Sequence, residues 1–126
     1  MIEVKSVNRN HKDLKERSFW AISFSIPEKP KNEIYLVEDL DYERSFDIQV
    51  IEGEGLRDDE MKELADFIVA FTQPGYYLLS CGESYLQKER FYKFLESNPR
   101  LTDTGCLRTL KDNEGGEHYY KILKRL

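Results

Sequence analysis

The sequence predicts an α+β domain: a single mostly antiparallel sheet of six or seven strands with two packed helices, in the order ββββ-α-β-α-ββ. Three observations carry this. Residues 19–26 alternate strictly, with Trp20, Ile22, Phe24 and Ile26 on one face and Ala21, Ser23 and Ser25 on the other. From residue 58 the apolar period becomes helical, with Met61, Leu64, Ala65, Ile68 and Phe71 at i, i+3, i+4 spacing. Residues 76–81 are apolar toward both faces, as in a central strand covered on both sides.

In chain order, residues 2–7 alternate weakly and suit an edge strand. Residues 8–18 hold one apolar member, Leu14, and read as a polar loop or a short exposed helix. The strand over 19–26 stops at Pro27 and Pro30, since a prolyl nitrogen donates nothing to a ladder. Strands over 33–38 and 46–52 follow, with an acidic turn between them. Asp58 is the expected N-cap of the first helix, and Gln73-Pro74-Gly75 is its stop. Phe67 and Val69 fall off the apolar stripe, so more than one side of that helix should be covered. Ser84 and Gln87 fit a capping box that opens the second helix, and Asn98-Pro99 ends it. Its Phe91, Phe94 and Leu95 should face the core, with Tyr85 and Tyr92 at the margin. Residues 106–111 and 117–126 read as a terminal hairpin around Gly115-Gly116.

The chain has 126 residues, enough for one domain (1–126) that buries roughly two-thirds of its unfolded surface. Sixteen aromatics argue against a disordered chain despite 34% charged residues. The start lacks the apolar core of a secretory signal, no apolar run is long enough to cross a bilayer as a helix, and Cys81 and Cys106 form no C-x-x-C pair. A cytoplasmic protein with reduced thiols, and no membrane partner, is the expectation.

A net charge of −5 argues against binding nucleic acid through bulk charge. The total conceals a segregation. Residues 33–66 hold 13 acids against only Arg44, Arg57 and Lys62, while both ends of the chain are mildly basic. Within the acidic stretch, Glu38, Asp39, Asp41, Tyr42 and Glu43 set an aromatic ring among carboxylates, which suits docking on a basic protein surface. A solvated loop is the plainer alternative.

Three chemical readings compete with that one. Tyr119, Lys121, Lys124 and Arg125 of the terminal hairpin combine rings with cations, as single-strand binders do. Alternation splits them, with Tyr119, Lys121 and Arg125 on one face and Lys124 on the other. Cys81 stands where a strand passes through Gly82 into a helix, a position that favours a thiolate, but a nucleophile needs a base and only His11 and His118 exist. Asp112, Glu114, Glu117 and His118 gather at a turn without the spacing of a zinc or calcium site. No catalytic set, metal or cofactor is therefore predicted. The leading expectation is a small non-catalytic protein-binding module of inhibitor, immunity, anti-defence or adaptor type, which uses the acidic 33–66 region with Tyr35 and Tyr42. The alternative is nucleic-acid association through the C-terminal hairpin, and the third is an enzyme built on Cys81.

Overall fold

The computed structural model describes residues 1–11, 17–38, 44–81, 86–111 and 115–126. The elements are β1 (Glu3–His11), β2 (Arg17–Ser25), β3 (Glu33–Glu38), β4 (Ser45–Ile51), α1 (Asp58–Phe71), β5 (Tyr76–Cys81), α2 (Leu86–Glu96), β6 (Leu101–Lys111) and β7 (Glu117–Arg125). The seven strands form one sheet in the order β1-β2-β3-β4-β5-β7-β6. Every pairing is antiparallel except β4 with β5. The α+β class and the element order match the sequence reading.

Local chemistry explains the elements. On β2, Phe24 is fully buried beneath the helices, as are Ile34 on β3 and Ile48 on β4. The three lie on one face because Phe24 pairs with Ile34 and Leu36 with Ile48. Tyr77, Leu79 and Leu123 extend this face across β5 and β7, and Met61, Leu64, Ile68, Phe91 and Leu95 cover it from α1 and α2. A smaller apolar group, Ala21, Tyr35 and Val37 with Ile51 beside it, lies on the opposite face.

Several boundaries differ from expectation. Residues 8–11 and 17–18 extend the first hairpin, with His11 opposite Arg17, where a loop or helix was expected. Backbone pairing holds these polar residues in strands, so no apolar alternation marks them. The α1 N-cap is Arg57 rather than Asp58: Glu60 Oε1 accepts the Arg57 N–H at 2.9 Å, so the helix begins at Asp58, one residue earlier than an Asp58 cap would set it. Asp58 turns instead to Arg90 on α2, at 2.8 Å. Strand β6 starts at Leu101, ahead of the expected 106, because a bulge between Asp103 and Leu107 interrupts its pairing without ending it. The capping-box Ser84 and the marginal Tyr85 lie outside the described residues.

Tyr92 is the most informative departure. It was expected at the margin and is 6% exposed. Strands β4 and β5 pair only through Ser45–Tyr76, Phe46–Tyr77 and Asp47–Leu78. Beyond that point the Tyr92 hydroxyl donates to the Ile48 carbonyl at 2.8 Å and lies 3.3 Å from Ser80 Oγ. One helical side chain thus supplies a hydrogen bond to β4 where the neighbouring strand no longer does.

Candidate functional site

The acidic region divides once folded. Its helical half is neutralised by cations, two of them remote in sequence and two local. Glu60, 8% exposed, meets Lys29 Nζ at 2.5 Å. Asp58 meets Arg90, Asp59 meets Arg57 at 3.0 Å, and Asp66 meets Lys62 at 2.7 Å and the Asn98 amide at 3.1 Å. The Lys29 ammonium, followed by the Arg57 amide, holds the Glu60 carboxyl below the usual range. Glu33 is likewise committed, accepting from the Tyr35 hydroxyl at 2.6 Å and from Ser23 Oγ at 3.2 Å on the face away from the helices.

The end of the β3–β4 hairpin is different. Glu38 closes β3, is exposed, and pairs in register with Phe46. Asp39, Asp41, Tyr42 and Glu43 lie outside the described residues. The chain is described again at Arg44, whose carbonyl accepts the Tyr76 N–H at 2.8 Å. Tyr76 is thereby fixed beside this end of the sheet with its ring 39% exposed, while its neighbour Tyr77 is 1% exposed in the core. Alternation predicts that split of adjacent tyrosines, but the sequence gives no sign that Tyr76 lies at the same end of the sheet as Glu38. Only the parallel β4–β5 pairing puts Tyr76 and Glu38 at one end of the sheet, with β4 between them and, since Glu38 shares a face with Phe46 and Tyr77, on opposite faces.

The C-terminal residues are placed as alternation requires. Lys121 bonds Asp103 at 3.1 Å and Glu96 at 3.2 Å, and both carboxylates, Asp103 foremost, hold its ammonium charged to higher pH. Arg125 Nε donates to the Val69 carbonyl of α1 at 2.8 Å. Tyr119, 44% exposed, donates to Glu117 at 2.7 Å, and Lys124 is exposed on the opposite face. Two of the four expected nucleic-acid contacts therefore hold the fold together, and Lys124 stands on the other face from Lys121 and Arg125.

Cys81 is exposed and pairs with Tyr119 in the β5–β7 register. Residues opposed in register point to the same face, so His118, one position away, points to the other. The register does not bring together the nucleophile and base that the sequence allowed. Asp112 and Glu114 of the suspected metal cluster lie outside the described residues. Among the described residues, no three His, Cys, Asp or Glu side chains gather as metal ligands, and no helix is long and apolar enough to cross a membrane.

One further polar group lies at the β4–β5 divergence. Ser80 Oγ receives Lys88 Nζ at 3.0 Å, and that ammonium stands 5.9 Å from the centre of the Tyr92 ring. Lys88 and Tyr92 are one helical turn apart on α2, so a single helix face tends the parted strands. Comparison with protein-family models, with curated proteins and with solved structures finds no match.

Proposed function

We propose that the protein is a small, cytoplasmic, non-catalytic protein-binding module that docks on a basic partner surface through the acidic end of its β3–β4 hairpin, as an inhibitor or adaptor would. The observation that supports this reading is that exposed Glu38 and exposed Tyr76, on opposite faces and with β4 between them, both stand at the sheet end where the five-residue acidic segment 39–43 joins β3 to β4. A tyrosine brings large contact area at low conformational cost, and carboxylates around it steer a basic partner. The acids of α1 already have cations of their own, which narrows the reading from the whole 33–66 segment to this hairpin end with Glu38, Asp39, Asp41, Tyr42 and Glu43.

The test is affinity capture from the native host with the wild-type chain and with E38K/D39K/D41K, followed by titration of the isolated partner against salt. The expected result is one protein retained by the wild type, released by rising salt and lost from the triple variant. Tyr76→Ala should weaken the same complex roughly tenfold, as truncation of a central aromatic anchor does. Equal retention by wild type and triple variant, with the same salt dependence, would refute the reading.

A further inference from the structure

The sheet has two outer strands, β1 and β6, and they are built differently. An outer strand carries a row of backbone donors and acceptors that can template another strand, and proteins blunt such edges with bulges and kinks. β6 is blunted. Its pairing with β7 breaks between Asp103 and Leu107, and Gly105 takes a left-handed φ of +72° there. Thr104 Oγ1 is turned to the Ile122 carbonyl at 2.8 Å. β1 has no such interruption: it pairs with β2 residue for residue from Glu3–Ser25 to His11–Arg17. Among the described residues, nothing pairs with its outer side.

Beside that open edge lies an apolar patch. Val4 pairs with Phe24 and so shares its helix-side face, and it is 38% exposed. The Phe24 ring meets Phe67 at 6.0 Å and Phe71 at 5.4 Å, and Phe67 stacks on Phe71 at 6.2 Å. Phe67 and Phe71 are 37% and 49% exposed, although Phe71 belongs to the expected core stripe of α1. The patch runs from the outer side of α1 to the sheet edge and is partnered on one side only.

Charge on β1 selects the occupant. In a two-fold antiparallel pairing, opposed residues must lie on the same face, so only registers that oppose residues of equal parity are allowed. A dyad at Lys5 sets Lys5 against itself, and a dyad at Glu3 sets Glu3 against itself. A dyad at Val4 opposes Glu3 of each copy to Lys5 of the other, twice, and sets Val4 against Val4. Glu3 and Lys5 already share a face, with an ion pair of 3.3 Å and both side chains exposed. We propose that β1 pairs antiparallel with β1 of a second copy about a two-fold axis at Val4, which joins the two sheets into one and merges the two Val4–Phe67–Phe71 patches into a single apolar strip. Backbone pairing supplies the register's frame, the strip supplies buried apolar area, and the two crossed Glu3–Lys5 pairs select this register over its neighbours.

Sedimentation velocity across about 1 µM to 1 mM protein tests this, with circular dichroism confirming that each variant is folded. The wild type should pass from monomer to dimer with concentration. Glu3→Lys and Lys5→Glu should each weaken the dimer by roughly tenfold or more, because each turns two attractions into repulsions. The exchange variant E3K/K5E should restore it to near wild type, and Val4→Lys should abolish it. A protein that stays monomeric throughout, a dimer indifferent to Lys5→Glu, or an exchange variant no better than the single ones would each overturn the proposal.

Discussion

The hydroxyl of Tyr92 offers the most direct test of how this sheet is held together. Tyr92→Phe keeps the ring and its volume, so no cavity forms and only the hydroxyl contacts are lost. The Ile48 carbonyl, which accepts that hydroxyl at 2.8 Å, is left short of a partner in a buried setting. An orphaned buried acceptor costs about 1–3 kcal/mol, against a fraction of that for a contact that water can replace. Ser80 loses a 3.3 Å contact but keeps Lys88 at 3.0 Å, so it adds little. Urea unfolding at neutral pH should therefore show a loss of about 1–3 kcal/mol, with the denaturant slope unchanged. Burial pushes the Tyr92 phenol well above its ordinary range, so it is neutral throughout such an experiment. Ser80→Ala serves as the control and should cost clearly less. If Tyr92→Phe cost under about 0.5 kcal/mol, or if Ser80→Ala matched it, the carbonyl would not be the important acceptor and the account of the strand divergence would fail.

Three further substitutions examine other joints. Gly75→Ala would drive a Cβ into the Arg44 carbonyl oxygen, which is itself tied to the Tyr76 amide, so stability should fall by about 1–3 kcal/mol in thermal or urea unfolding. Asn32 Oδ1 accepts the amides of Gly53 at 3.0 Å and Gly55 at 3.2 Å, and Asn32→Ala should cost about 1–2 kcal/mol in the same assays. Glu60, with its carboxyl held below the usual range by Lys29 and the Arg57 amide, adds stability that is complete above the ordinary glutamate range and is lost as pH falls through its lowered value. Glu60→Gln should lower stability at pH 7 and flatten the acid limb of the stability–pH curve, and an unchanged acid limb would count against that linkage.

Periodicity carried the fold where side chains face two different surroundings. The helical stripe of Met61, Leu64 and Ile68 is visible because it separates core from water, and the alternation of Ile22, Phe24 and Ile26 because it separates the large apolar core from the small residues Ala21, Ser23 and Ser25 of the other face. Residues 8–11 and 17–18 are polar in sequence, so no periodicity marks the backbone pairing that extends that hairpin. Tyr92 was misplaced for a related reason: its hydroxyl suggests a wet position, and only the tertiary structure provides the Ile48 carbonyl that makes burial tolerable. The candidate site divides the same way. The concentration of acids was countable, but their neutralisation was not, because Lys29 and Arg90 reach Glu60 and Asp58 from 31 and 32 residues away. Strand order is invisible to pattern, and so was the placing of Tyr76 and Glu38 at one end of the sheet.

The narrow β4–β5 pairing also bears on cooperativity. Strands β1 to β4 form a meander of sequence neighbours, and β6 and β7 form a hairpin that joins β5 on the far side. Loop closure within each block is short, so each can assemble early. The two blocks share only three ladder pairs directly, and the rest of their union is made by side chains of α1 and α2. Sub-global opening should therefore divide the molecule along this line rather than fray it from the ends, so that amides of the meander and of the terminal hairpin exchange as two foldons. The helical layer, more than the sheet, makes them one domain.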